Sequence, residues 1–227
     1  MRYDLFLPGV STASCLVTVV QAGRVRTLVL TPARPEAALD VRPLWQQARS
    51  FVLLGVEHIL TGYDHLLFLL GLLLLGGSLG GLVKTVTAFT VAHSVTLALA
   101  VLDLVVLPAR LVESAIALSV AYVATENLWR RERALRGRWR LTFAFGLVHG
   151  LGFASILREV GLGASLPLSL AAFNLGVEAG QLAVVVPLVL GVRVLAGRAW
   201  AEPVRLGLSA GVAAAGVLWF VQRAVLG

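Results

Sequence analysis

The sequence predicts an all-α polytopic membrane bundle of about six transmembrane helices, preceded by a short N-terminal tail that reads as a β-hairpin. Three observations predict it. Of the 227 residues, 58% are hydrophobic and 14% charged, whereas soluble domains hold about 45–50% and about 25%. The mean hydropathy of +0.89 makes lipid the solvent for most of the chain. The apolar residues also gather into runs near the roughly 20 residues that one crossing needs.

Residues 1–50 are expected as an extracytoplasmic tail and linker, and residues 51–227 as the transmembrane domain. Cys15–Val20 and Arg24–Leu30 are β-branched, partly alternating runs around Gln21-Ala22-Gly23, the pattern of a hairpin. Residues 31–43 carry Pro32, Pro35 and Pro43 and read as a linker. Trp45 stands where an interfacial anchor belongs. Asp4 interrupts any signal-peptide n-region and no long apolar run precedes a cleavage site, so either the tail crosses unaided or the natural start lies upstream.

The expected crossings are 51–75, 82–103, 108–128, 141–157, 166–192 and 204–224, the fourth of them short. Gly76-Gly77-Ser78-Leu79-Gly80-Gly81 forms a flexible turn between the first two. Pro108 begins the third, where its missing N–H is harmless. Pro187 predicts a kink in the fifth.

A net charge of +7 on a soluble chain would suggest nucleic acid. In a membrane chain arginines set orientation, and no nucleic-acid partner is expected. The loop with Arg130, Arg131, Arg133, Arg136, Arg138 and Arg140 should face the cytoplasm, which puts both termini outside after six crossings. Lys84, Arg193, Arg198 and Arg205 fall on the same inner side. The arginines of the tail run against this, but charge in longer translocated segments counts for less. The lone Cys15 and the single methionine, Met1, exclude a thiolate cluster and soft sulfur ligands in the apolar region. The expected partners are the bilayer and a metal ion; self-association into a homo-oligomer is left open.

The chemistry lies in the charges kept inside lipid. All four histidines, His58, His65, His93 and His149, fall in expected crossings, as do Glu57, Asp64, Glu113, Glu126 and Glu178. A carboxylate at the centre of a crossing costs about 2.5–3.5 kcal/mol on insertion scales, so these groups should face one another or a polar cavity. On one straight helix His58 and His65 stand about 20° apart in rotation, and Glu57 and Asp64 repeat the relation. Imidazole and carboxylate donors without sulfur suit a divalent transition metal: nickel, cobalt or zinc. Taken singly, each residue is better explained by a hydrogen bond to a neighbouring helix; taken as a cluster, the metal reading is the better one.

Supporting groups follow on the other crossings. Thr90 and Ser94, one turn apart, flank His93 and are candidates to orient it. Tyr122, Glu126 and Asn127 lie near the inner end of the third crossing, where Glu126 has Arg130 one turn on. Gly146 and Gly150 form a small-xxx-small pair that brings His149 close to a neighbouring helix. Asn174, Glu178 and Gln181 make one polar face, with Gly176 and Gly180 as a second close-packing pair. The sixth crossing reads as scaffold.

These residues resemble the HupE/UreJ family of membrane proteins, accessory to nickel enzymes such as hydrogenase and urease, in its larger second branch. The resemblance is carried by His58 through His65 (His-x5-Asp-His), Ala88-Phe89-Thr90-Val91-Ala92-His93-Ser94-Val95-Thr96-Leu97, Gly146-Leu147-Val148-His149-Gly150-Leu151-Gly152-Phe153-Ala154 and Phe173-Asn174-Leu175-Gly176-Val177-Glu178. It covers about residues 51–190. It implies a six-crossing bundle in the cytoplasmic (inner) membrane and, by analogy with the nickel-permease branch, secondary uptake of nickel or cobalt. The metal-handling motif of that branch maps onto His58, Asp64 and His65. The branch commonly carries a larger exported N-terminal region, here about fifty residues.

Three functions fit. In a metal permease, His58, Asp64 and His65 capture a divalent ion, His93, His149 and Glu178 complete or relay the site, and Glu113 holds protons or balances charge. No nucleotide-binding Gly-x4-Gly-Lys-Ser/Thr loop is present, so a gradient or metal trapping would drive it. In an intramembrane zinc hydrolase, three histidines and a carboxylate hold the metal and Glu178 or Glu113 is the general base. In a scaffold, the polar groups only lock helices together.

Overall fold

The computed structural model describes residues 15–21, 24–30, 43–129, 137–160, 165–195 and 197–226. The chain divides into two units, Met1–Pro43 and Leu44–Gly227. In the first, β1 (Cys15–Gln21) and β2 (Arg24–Leu30) pair antiparallel, with Cys15 opposite Leu30 and Gln21 opposite Arg24. Ala22 and Gly23, the linker expected over 31–43 up to residue 42, and Arg130, Arg131, Arg133 and Arg136 of the basic loop lie outside the described residues.

The second unit is helical among its described residues. It contains α1 (Leu44–Thr61), α2 (Tyr63–Leu74), α3 (Leu79–Val101), α4 (Ala109–Trp129), α5 (Arg138–Leu151), α6 (Ala154–Val160), α7 (Leu166–Leu195) and α8 (Ala201–Val221), which runs into a π-helical turn, Gln222–Leu226. Four helices are long and apolar enough to cross a membrane: Leu79–Val101, Ala109–Trp129, Leu166–Val194 and Ala201–Leu226. The pair α1 and α2, bent by 69°, makes a fifth when counted as one span. The expected fourth crossing, 141–157, falls on α5 and α6, of 14 and 7 residues.

Local chemistry explains the boundaries. After α2 the chain reverses through Gly76 and Gly77, at φ 81° and 130°, where a side chain would be strained. Ser78 then caps α3, its Oγ accepting from the Gly81 N–H at 3.1 Å. Pro108 stands directly before α4, and α7 continues through Pro187.

The first expected crossing is not one straight helix. It breaks at Gly62, which is extended at φ −79°, ψ 95°. A Cβ there would press on the His58 carbonyl and His65 Nδ1, so the break closes tightly only around glycine.

Three close pairs build the unit: α3 on α5, α1 on α7, and α4 on α8. Backbone proximity requires glycine at the first two. A Cβ on Gly150 would overlap the His93 carbonyl and Thr96 Oγ1, and one on Gly176 would overlap the Val52 carbonyl. Phe51, Ile59, Phe68, Phe89, Phe173 and Val177 are among the buried residues of the core between these pairs.

Arg138 and Arg140, expected in the basic loop, belong instead to the first turn of α5. Arg138 is 5% exposed. Its Nη2 donates to the Gly71 carbonyl at 3.3 Å and to Asn127 Oδ1 at 3.2 Å, while Asn127 Nδ2 donates to the same carbonyl at 2.7 Å. These acceptors meet Nη2 alone, and Nε and Nη1 of the buried guanidinium have no hydrogen-bond partner.

Candidate metal centre

The break at Gly62 turns the end of α1 and the start of α2 toward each other. His58 near the end of α1 and His65 in the first turn of α2 meet edge to face, ring centroids 4.6 Å apart. On a straight helix seven residues would separate them by about 10.5 Å along the axis. The third ring comes from His93 on α3, 6.0 Å from His58 and 6.4 Å from His65. One ring nitrogen from each of the three lies within 4.8 Å of the others. His149 on α5 adjoins them, 5.1 Å from His65, because Gly150 lets α5 touch the α3 backbone beside His93.

Hydrogen bonds set the tautomers of two of these rings. Ser119 Oγ donates to the Ile116 carbonyl at 2.7 Å, so at 2.9 Å it accepts from His149 Nε2–H. Asn174 Nδ2 donates to the Leu170 carbonyl, which turns its Oδ1 toward His93 Nδ1 at 3.3 Å and makes that nitrogen the N–H donor. The remaining lone pairs, on His93 Nε2 and His149 Nδ1, are buried without a partner. His58 Nε2 and His65 Nε2 are buried without a partner as well. Each unmet buried nitrogen costs about 1–3 kcal/mol; three of the four rings bring a nitrogen together and His149 lies beside them.

Phenylalanines wall the rings. Phe153 lies 4.0 Å from His58, Phe173 stacks near His93 at 6.4 Å, and Phe89 and Phe68 stand 5.1 and 5.2 Å from His149. His93 and His149 are 0% and 1% exposed. The result is a buried group of imidazoles walled by aromatic rings, in which Nε2 of His58, His65 and His93 and Nδ1 of His149 have no hydrogen-bond partner; such nitrogens are donors of the type that transition metals take.

The acids stand apart from this group. Asp64 forms an ion pair with Arg223, Oδ2 to Nη2 3.0 Å. Glu178 accepts from Thr87 Oγ1 at 2.6 Å on the α3–α7 interface. Glu57 and Glu113 are exposed. Thr90 and Ser94 do not touch His93: Thr90 donates to Gln181 Oε1 at 2.8 Å and Ser94 to the Thr90 carbonyl at 2.7 Å. The role expected of them falls to Asn174, which α7 presents at the level of the ring, because Ser94 bonds back to its own helix and Thr90 reaches across to Gln181. Together His93 with Asn174, Thr90 with Gln181, and Thr87 with Glu178 form three polar rungs between α3 and α7.

Sequence reasoning assigned no part to Ser119, Arg223 or the four phenylalanines. Phe89, Phe153 and Phe173 lie inside the motifs that contain or adjoin the histidines, which is a usable signal. Ser119 is a lone hydroxyl among small residues, and Arg223 at the end of an apolar run reads as a membrane flank.

A family model described as HupE / UreJ protein matches residues 35–223. No curated protein and no solved structure matches the chain.

Proposed function

The chain belongs to the HupE/UreJ family, a multi-pass membrane family tied to nickel and cobalt handling, and from that premise we propose that it is a divalent transition-metal permease of the nickel/cobalt type. The observation that carries the reading is the convergence of His58, His65 and His93, from α1, α2 and α3, with each Nε2 buried and unpartnered. Nitrogens bound to one ion at ~2.0–2.1 Å sit roughly 3.3 Å apart. The 4.8 Å spread of the trio therefore leaves about 1.5 Å for an ion to draw in.

In this reading nickel or cobalt is the cargo. His58, His65 and His93 take it, His149 offers a fourth nitrogen, and Asp64 is the carboxylate beside the site. Glu178, which pairs with Thr87 between α3 and α7, receives the ion or balances its charge on the way toward the cytoplasm. The bundle lies in the cytoplasmic membrane with six crossings, the first bent and the fourth formed by the short α5 and α6. Both termini and the tail of residues 1–50 are extracytoplasmic.

Two features favour this over a zinc hydrolase. No carboxylate belongs to the group of nitrogens among the described residues. Asp64 and Glu178 are each engaged by another partner, and Glu113, the other candidate base, is exposed and outside the group of nitrogens. The test is uptake of radioactive nickel or cobalt into liposomes containing the purified protein. Uptake by wild type and its loss in His65→Ala is the expected result; equal flux in the two would overturn the reading.

A further inference from the structure

The carboxylate that precedes His65 is already occupied by a cation of the chain itself. Arg223 grips Asp64 with both arms of its fork, Nη1 to Oδ1 at 3.2 Å and Nη2 to Oδ2 at 3.0 Å. Nη1 also donates to the Glu113 carbonyl at 3.3 Å, and the guanidinium lies over the Trp219 ring, 5.5 Å from its centroid. Both side chains of the pair are a quarter exposed. Arg223 stands in the π-helical turn Gln222–Leu226, which Arg110 clasps through the Ala224 carbonyl at 2.6 Å.

We propose that Arg223 is a tethered cation that occupies Asp64 until a divalent ion displaces it, and so sets the affinity and charge selectivity of access to the histidine group. The proposal rests on the metal-handling reading of that group. A metal ion at Asp64 competes with the fork for the carboxylate's charge, and one that chelates both oxygens displaces it. A monovalent cation would exchange two charge-assisted hydrogen bonds for one unit of attraction, whereas a divalent ion doubles the attraction at the same oxygens. Once displaced, the guanidinium keeps the Trp219 face and the Glu113 carbonyl, so it need not return to bulk water.

The experiment is nickel binding by the full chain in detergent, measured by equilibrium dialysis for wild type, Arg223→Gln, Arg223→Lys, Asp64→Asn and the double variant Asp64→Asn/Arg223→Gln. Arg223→Gln should bind nickel about tenfold more tightly than wild type, Arg223→Lys close to wild type, and the gain should vanish in the Asp64→Asn background. Hydrogen–deuterium exchange on wild type gives a second readout: nickel should speed exchange of the amides in 222–226. Unchanged or weaker binding by folded Arg223→Gln, or a C-terminal turn whose exchange ignores bound nickel, overturns the proposal. If Arg223→Gln does not fold, the exchange measurement decides alone. Wild type that binds neither nickel, cobalt nor zinc overturns the metal-handling reading together with this one; wild type that binds while Arg223→Gln gains nothing overturns this one only.

Discussion

The imidazoles of His58 and His65 stand edge to face with centroids 4.6 Å apart, across a helix break in which Gly62 has no room for a side chain. The break is therefore a component of the site. Gly62→Ala is expected to push the His58 carbonyl and the His65 ring apart and to weaken zinc binding about tenfold or more, in line with ~1–3 kcal/mol for overpacking. Equilibrium dialysis checks it, with the half-exposed Leu60→Ala as a control that binds like wild type.

Asn174 holds the His93 ring with its unpartnered nitrogen toward the other two histidines. Asn174→Leu keeps the size of the side chain and removes the acceptor. Loss of such an orienting partner typically costs about 10–100-fold in metal affinity. Isothermal titration with nickel or zinc should find that loss while the circular dichroism spectrum stays helical.

Glu178 and Thr87 separate binding from transport. Glu178→Gln retains a group able to accept from Thr87 but removes the charge. Nickel affinity at the histidines should stay within about threefold of wild type, a change under ~0.7 kcal/mol. Uptake into liposomes should fall at least tenfold. A parallel loss of affinity and uptake would make Glu178 a ligand instead.

Gly150 couples the fold to the site, since α5 rests on the α3 backbone at His93 through it. Gly150→Val should lower stability by at least ~2 kcal/mol, because the obstacle is backbone and cannot rotate away. Gly191→Val, at a position with open space around it, is the control. Unfolding followed in mild detergent compares the two.

Much of this was legible in the residues. Four histidines placed in apolar runs announced a buried site, and the face Asn174-Glu178-Gln181 announced a helix turned inward; α3 meets that face with His93, Thr87 and Thr90. Gly146 and Gly150 announced a close neighbour for His149, which is α3. The break was not legible, because a glycine inside an apolar run is as easily a packing glycine as a hinge. Helical register alone made His58 and His65 share a face, but their contact needs the chain to fold back, and register carries no information about that. Arg223 was hidden for another reason: its partner lies 159 positions earlier in the chain, and only the seating of α8 against α4 brings them together.

The phenylalanine wall bears on which ions arrive in time. If the histidines take an ion, the rings of Phe68, Phe89, Phe153 and Phe173 packed around them would leave little space for a hydration shell, and the ion would shed its water before the imidazoles replaced it. Magnesium, which dehydrates reluctantly and prefers oxygen, would then be turned back at that step however abundant it is. Among the later transition metals the order of thermodynamic preference and the order of dehydration rates need not agree. Discrimination would then be partly a matter of speed, and a ranking of metals measured at equilibrium would not by itself give their ranking in flux.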